Sequence, residues 1–139
     1  MKSKRRIRNV SVYTILNEAN LCTIARILKV HSDHIKHLTI SFRTHHCNSS
    51  QKINALYFME LLRHANLKSL CVGLENVQII NWVNPECLLG VKGPLNLFLS
   101  FNQTSDVGDG FIHLFKPNSV KEIAIDGQWN QFSDFIKLQ

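Results

Sequence analysis

Histidine and cysteine side chains that lie close together in the sequence could bind a metal ion or form a nucleophilic site. His31, His34 and His37 are spaced three residues apart, and His46 is followed directly by Cys47. Imidazole and thiolate groups are ligands that zinc prefers, and a Cys–His pair can act as an activated nucleophile. The three histidines, however, fall across a predicted loop and strand, and adjacent residues usually point apart. We therefore predict surface histidines, with no metal, no cofactor and no catalytic residue.

The segment Asp106-Val-Gly-Asp-Gly110 has the composition of a calcium-binding or phosphate-binding loop. It lacks the closing glutamate of an EF-hand and the lysine of a P-loop. Glycine and aspartate are also the residues that tight turns and helix N-caps favour. The segment is therefore predicted to be a turn that leads into a helix.

Positive charge is concentrated near the start of the chain. Residues 1–70 contain 12 basic and 3 acidic residues, whereas residues 71–139 contain 4 basic and 7 acidic residues. A dense basic run can contact phosphates, a nuclear import receptor or an acidic membrane surface, and it can also be a solvated tail. The run consists of Lys2, Lys4, Arg5, Arg6 and Arg8.

Length and composition indicate one domain. The chain has 139 residues, of which 45% are hydrophobic and 19% are charged, so it can form a core. We predict a basic flexible tail over 1–10 and a single domain over 11–139. No apolar stretch resembles a signal peptide or a membrane span, and no CxxC pair occurs among the four cysteines. These features predict an intracellular protein, cytoplasmic or nuclear, with free thiols.

A short pattern of apolar residues recurs four times. It begins at residues 35, 67, 94 and 120, and its best examples are Ile35-Lys-His-Leu-Thr-Ile40 and Leu67-Lys-Ser-Leu-Cys-Val72. The alternation of apolar and polar residues predicts short half-buried strands. Apolar stripes at helical spacing precede them over 15–30, 53–62, 77–83 and 111–115, and Ser49 or Ser50 is the candidate N-cap of the second. The face predicted for the first consists of Ile15, Leu16, Ala19, Cys22, Ala25 and Leu28. Alternating helices and strands predict an α/β fold with parallel strands, and a compact α+β domain is the alternative.

The recurrence resembles the leucine-rich repeats of ribonuclease-inhibitor and NOD-like-receptor type. The third unit carries the resemblance most fully, with Leu97-Phe-Leu99-Ser-Phe-Asn102 followed by Asp106-Val-Gly108. The resemblance implies a short solenoid, in which Asn102 bonds backbone groups at the end of the strand and Asp106 begins the helix. Residues 114–125 are similar instead to a segment of nematode F-box-associated domains. Both families imply a binding module rather than an enzyme.

The predicted strands would present three rows of side chains on one face. The central row contains Phe98, a large apolar group among small residues, which is a plausible binding anchor; Phe101 could take the exposed place in a different register. Aromatic residues Trp129, Phe132 and Phe135 are predicted to cover the last unit. The rows are His37/Ser69/Asn96/Glu122, Thr39/Cys71/Phe98/Ala124 and Ser41/Gly73/Ser100/Asp126.

These observations predict a non-catalytic protein-interaction module that binds another protein on its strand face, as part of an intracellular sensor or adaptor. The residues predicted to contact the partner are Phe98, His37, Thr39, Ser69, Asn96, Ser100, Glu122 and Asp126. The alternative is a nucleic-acid-associated protein that binds through the basic run, in which case binding weakens steeply with salt.

Overall fold

The structure is a computed structural model. It describes residues 7–15, 18–31, 34–43, 51–56, 67–82, 95–102, 105–108, 110–115 and 117–139. The predicted basic residues Lys2, Lys4, Arg5 and Arg6, the His46–Cys47 pair and the candidate helix start at Ser49 or Ser50 lie outside these ranges.

Within the described ranges, one sheet contains five parallel strands, and their order across the sheet is their order along the chain. Their interiors alternate apolar and polar residues, so that one side of the sheet is buried and the other is accessible. The strands are β1 (Asn9–Ile15), β2 (His37–Arg43), β4 (Ser69–Glu75), β6 (Leu95–Asn102) and β7 (Val120–Gly127).

Strand β1 was not predicted from the sequence. It pairs with β2 from Asn9 onward, so the last two residues of the predicted tail over 1–10 belong to the sheet. The carbonyl of Arg8 also accepts hydrogen bonds from the amides of Lys36 and His37, at 2.8 and 3.1 Å. Val10 and Val12 are partly buried against the core, and this alternation is the signal that sequence reasoning passed over.

Two further strands form a second, shorter ladder. Strand β3 (Gln51–Asn54) pairs in parallel with β5 (Val77–Ile80), and an isolated bridge joins Gln78 to Asp106. The predicted helices over 53–62 and 77–83 are therefore wrong at 53–54 and at 77–80, whereas residues 55 and 56 are helical. Val77 and Ile79 are buried whereas Gln78 and Ile80 are only partly so, which is the period of a strand rather than of a helix.

The helices that the structure describes are α1 (Glu18–Val30) and α2 (Phe132–Leu138), with a 3₁₀ turn over Phe111–Leu114. Helix α1 begins three residues later than predicted, and Leu21, Ile24 and Leu28 form its buried face. Cys22, which the predicted apolar face included, is exposed. The buried stripe shares Leu28 with the predicted face, and Leu21 and Ile24 take the places that the prediction gave to Ala19 and Cys22.

The core has an aliphatic part and an aromatic part. Ile40, Val72 and Leu99 are fully buried in register on three neighbouring strands. Trp129 and Phe135 lie beyond β7, with ring centroids 5.2 Å apart, and Phe135 is fully buried. Trp129 contacts the Phe101 and Phe111 rings, and Phe135 contacts the Phe115 ring, so two of the three aromatic residues predicted to cover the last unit belong to the aromatic part of the core. Phe132 is exposed.

The end of the chain is held at the beginning of β7. The amide of Asn118 donates to the carbonyl of Leu138 at 3.2 Å, and the amide of Val120 donates to the Gln139 side-chain oxygen at 2.9 Å. These bonds satisfy backbone donors that a strand at the rim of a sheet would otherwise leave without a protein partner.

Candidate binding face

The accessible side of the five-stranded sheet brings the predicted contact residues together. We call it the open face and define it by three rows that cross the strands in register. The rows are Asn9/His37/Ser69/Asn96/Glu122, Ser11/Thr39/Cys71/Phe98/Ala124 and Tyr13/Ser41/Gly73/Ser100/Asp126. The predicted register of the four later strands is confirmed, and β1 adds a fifth member to each row.

Phe98 is a large apolar group in the central row of this face, on the strand next to β7. Its side chain is 44% exposed, whereas Leu97 and Leu99 on either side of it are 2% and 0% exposed. Phe101 is 5% exposed and packs in the core. The structure therefore assigns the exposed place to Phe98 and rejects the register in which Phe101 would replace it.

A shallow depression of about 330 Å³ lies beside Phe98. Thr39, Cys71 and Ala124 contribute small side chains to it, and Asn96 and Glu122 supply polar groups from the first row. The small side chains beside the Phe98 ring leave room for an apolar side chain from another molecule. Sequence reasoning predicted the residues but not this volume, which depends on how far apart the strands hold them.

The first row contains a short side-chain hydrogen bond. Nδ1 of His37 lies 2.6 Å from the hydroxyl oxygen of Ser69 on the neighbouring strand. Ser69 lines the depression, and the bond fixes the position of its hydroxyl relative to the His37 ring. Such a pair can offer a donor and an acceptor to a bound peptide backbone.

Burial changes the chemistry of the Cys71 thiol. Burial raises the pKa of Cys71 above its ordinary range, because a thiolate loses more by desolvation than a neutral thiol. The side chain is only partly buried, so reagents can still reach it from the open face. A raised pKa makes Cys71 a poor nucleophile at neutral pH, although its position makes it a useful reporter of what occupies the depression.

Tyr13 is a member of the open face that sequence reasoning missed. It lies on β1 directly opposite Ser41, and it is 74% exposed. The segment Val10-Ser-Val-Tyr-Thr14 alternates apolar and polar residues, which is the signal that could have identified it. Tyrosine is one of the residues most often found at the energetic centre of protein interfaces.

Acidic residues occupy the β7 side of the open face. Glu122 and Asp126 are both exposed, and they lie on either side of Ala124 along the strand. Farther along the sheet, Arg43 of β2 and Glu75 of β4 lie opposite each other in register. On the described part of the sheet, Glu122 and Asp126 are thus the acidic residues of the open face that have no basic residue opposite them in register.

The turn after β6 differs in part from what the resemblance implies. The Asn102 amide nitrogen lies 3.3 Å from the Ser100 hydroxyl and makes no bond to backbone atoms of the described chain. Asp106 does not begin a helix, because its amide donates to the Val77 carbonyl and its carbonyl accepts from Ile79. Its carboxylate accepts from the Gly108 amide at 2.9 Å, and Gly108 has a φ of 74°, which confirms the predicted turn.

Arg8 is the member of the predicted phosphate-contacting run that the structure describes. It is exposed immediately before β1. Its carbonyl is bonded to the amide of His37 in β2, so Arg8 lies directly before the first row of the open face. The other four members lie in residues 1–6.

Metal-ligating groups do not converge in the described residues: no group of three or more His, Cys, Asp or Glu side chains there could hold a metal ion. No helix among the same residues is long and apolar enough to cross a membrane.

A second depression of about 400 Å³ lies at the carboxyl ends of β6 and β7, between Asn102, Asp106 and Trp129.

Comparison with known proteins assigns no family to the chain. No protein-family model matches it. No curated protein matches it, and no solved structure matches it.

Proposed function

We propose that this chain is a non-catalytic protein-binding module that holds a segment of another protein on its open face. The observation that carries the proposal is the exposure of Phe98 beside a depression lined by small side chains. An exposed aromatic group that is flanked on neighbouring strands by small residues, here Cys71 and Ala124, has the composition of an interface hot spot.

We also propose that the recurring units are leucine-rich-like repeats of a short solenoid. Two features support this. The five parallel strands follow one another across the sheet in chain order. Strands β3 and β5, which lie between successive strands of that sheet along the chain, also pair in parallel and form a separate sheet. Solenoids commonly bind their partners on an extended face of this kind.

The proposal is tested by capture of partners from cell lysate after nuclease treatment, with mass spectrometry as the readout. Wild-type protein is compared with Phe98→Ala and with Phe132→Ala, which removes an exposed aromatic group on α2, away from the open face. We expect a discrete protein that Phe132→Ala retains and Phe98→Ala loses at least tenfold. Equal retention by both variants would contradict the proposal.

Cys71 provides a second readout that places the partner on the chain. With the partner bound, alkylation of Cys71 should slow several-fold, whereas alkylation of the exposed Cys22 on α1 should not change. Protection of Cys22 alone would move the interface to α1, and the open face would then not be the binding surface.

The basic run supports a second proposal, that the chain associates with nucleic acid through Lys2, Lys4, Arg5, Arg6 and Arg8. Removal of residues 1–6 should abolish such binding, and the affinity should fall steeply between 50 and 200 mM salt, as is usual where several cations contact phosphates. Partners that disappear on nuclease treatment would favour this function over protein binding.

A further inference from the structure

The spacing of the two carboxylates on β7, Glu122 and Asp126, indicates what kind of segment the open face can bind. Glu122 and Asp126 are four residues apart on one strand, so both lie on the face that carries Ala124. At the usual rise of a strand, their Cα atoms are separated by about 13 Å. Neither carboxylate has an ion-pair partner on the described part of the chain, and both are exposed.

An apolar site lies between these two carboxylates. Ala124 is opposite Phe98 on β6. The depression beside this pair is lined by Glu122 at one end and reaches across the sheet to Cys71 on β4, whereas Asp126 lies outside its lining. Along the direction of β7, the order is therefore acidic group, apolar site, acidic group. The two ends attract cations, and the middle gains from burial of an apolar side chain.

An extended peptide has the matching period. Its alternate side chains point the same way, so residues i, i+2 and i+4 face one surface and span about 13 Å. We propose that the open face binds an extended segment of a partner protein that carries basic residues at i and i+4 and an apolar residue at i+2. The apolar residue occupies the depression beside Phe98, and the basic residues lie against Glu122 and Asp126.

This inference rests on the proposed protein-binding function and specifies the class of partner. Because exposed ion pairs are weak, each should contribute about two- to fivefold in affinity, and both should weaken as salt screens them. The apolar contact with Phe98 should carry most of the affinity, while the two carboxylates distinguish basic from acidic segments.

Fluorescence anisotropy with three labelled peptides tests the inference on the full chain. Each has the same Gly-Ser flanks, and the central residues are KALAK, QALAQ or EALAE. We expect KALAK to bind about 5- to 20-fold more tightly than QALAQ at low salt, and EALAE to bind most weakly. A fourth peptide, KLAAK, moves the leucine to the opposite face of the strand and should bind at least fivefold more weakly than KALAK.

Variants of the chain assign the effect to the two carboxylates. In the double variant Glu122→Gln, Asp126→Asn, the affinities for KALAK and QALAQ should become equal within twofold. Asp134→Asn on α2 removes one negative charge away from the open face and should preserve the preference. Equal affinity of wild-type protein for KALAK and QALAQ, or a preference that survives in the double variant, would overturn the inference.

Failure of this inference can be distinguished from failure of the proposed protein-binding function. If QALAQ binds as well as KALAK and both are lost in Phe98→Ala, the open face binds peptides without the basic preference, and only the inference fails. If the lysate partner neither depends on Phe98 nor protects Cys71, the proposed function fails whatever the peptides do.

Discussion

Phe98 and Phe101 lie three residues apart on β6 and face opposite sides of the sheet. Phe98 stands 44% exposed on the open face, whereas Phe101 is 5% exposed. The Phe101 ring packs edge-on against Phe111 and Trp129, with centroids 6.1 Å away in both contacts. One strand thus carries two phenylalanines, one that contributes to the core and one that is available to a partner.

Alanine substitution should separate these two roles. Phe101→Ala removes a ring from a packed aromatic cluster and should lower the free energy of unfolding by about 3–5 kcal/mol. Phe98→Ala should lower it by less than about 1 kcal/mol, since exposed side chains contribute little to stability. Urea denaturation followed by circular dichroism measures both. A loss for Phe98→Ala as large as that for Phe101→Ala would place Phe98 in the core.

The reactivity of Cys71 should depend on pH in the direction that burial dictates. Since burial raises the pKa of the thiol, the thiolate fraction at any pH below that pKa is smaller than for a fully solvated thiol. Alkylation of Cys71 by iodoacetamide should therefore be slow at pH 7 and should continue to accelerate above the ordinary thiol range. Peptide-resolved mass spectrometry over pH 6–10 measures the rate.

Removal of the shielding side chain provides the control for Cys71. Phe98 lies opposite Cys71 in register, so Phe98→Ala should expose the thiol further, return its pKa toward the ordinary range and speed alkylation at neutral pH. An unchanged pH profile in Phe98→Ala would show that the shift comes from the strand environment rather than from this neighbour.

Two glycines in the sheet should respond differently to alanine. Gly127 has a φ of 102°, and a Cβ at this position would overlap the backbone carbonyl of Phe101. Gly127→Ala should lower the free energy of unfolding by about 1–3 kcal/mol from backbone strain, with the steric overlap adding to it. Thermal and urea denaturation measure the loss.

Gly73→Ala is the matched substitution on the open face. A Cβ at Gly73 would lie 3.1 Å from the hydroxyl oxygen of Ser41, a side-chain atom that can rotate away. We expect a change in the free energy of unfolding within about 1 kcal/mol. A larger loss for Gly73→Ala than for Gly127→Ala would contradict the backbone geometry assigned to these two strands.

Two serines should change stability in opposite directions. The hydroxyl of Ser119 is buried and has no hydrogen-bond partner in the described structure, so Ser119→Ala should raise the free energy of unfolding by about 1 kcal/mol. The hydroxyl of Ser105 accepts a hydrogen bond from the amide of buried Val77 at 3.1 Å. Ser105→Ala should therefore lower the free energy of unfolding by about 1–2 kcal/mol.

Urea denaturation of both serine variants measures these changes under one set of conditions. The opposite signs make the pair informative, because a general effect of alanine on strand or loop propensity would move both variants the same way. A loss of stability in Ser119→Ala would indicate that its hydroxyl is hydrogen-bonded in solution.

The sequence alone determined four strands and their mutual register. Leu38, Leu70 and Leu97 recur at equivalent places, each followed two residues later by a second aliphatic residue. A period of two decides which side of a strand is buried, and a slip of one residue would expose every member of the set. Four of the five members of each row on the open face could be predicted for the same reason, although Phe98 and Phe101 remained alternatives on β6.

The shorter strands could be assigned only from the tertiary structure. Val77, Ile79 and Ile80 satisfy both a strand and one turn of a helix, because four residues are too few to separate periods of 2 and 3.6. Pairing with Gln51–Asn54 supplies the backbone hydrogen bonds that make β5 a strand. The same applies to β1, whose alternation becomes decisive once β2 is seen beside it.

Which of Phe98 and Phe101 is exposed likewise depends on the tertiary structure. Their side chains have the same chemistry and both lie within one strand, so local pattern allows either to be exposed. Pairing of β6 between β4 and β7 aligns Phe98 with Cys71 and Ala124, and Phe101 with Leu74 and Gly127. Only Phe101 then reaches the aromatic cluster near α2, where burial of a whole ring outweighs the cost of ordering it.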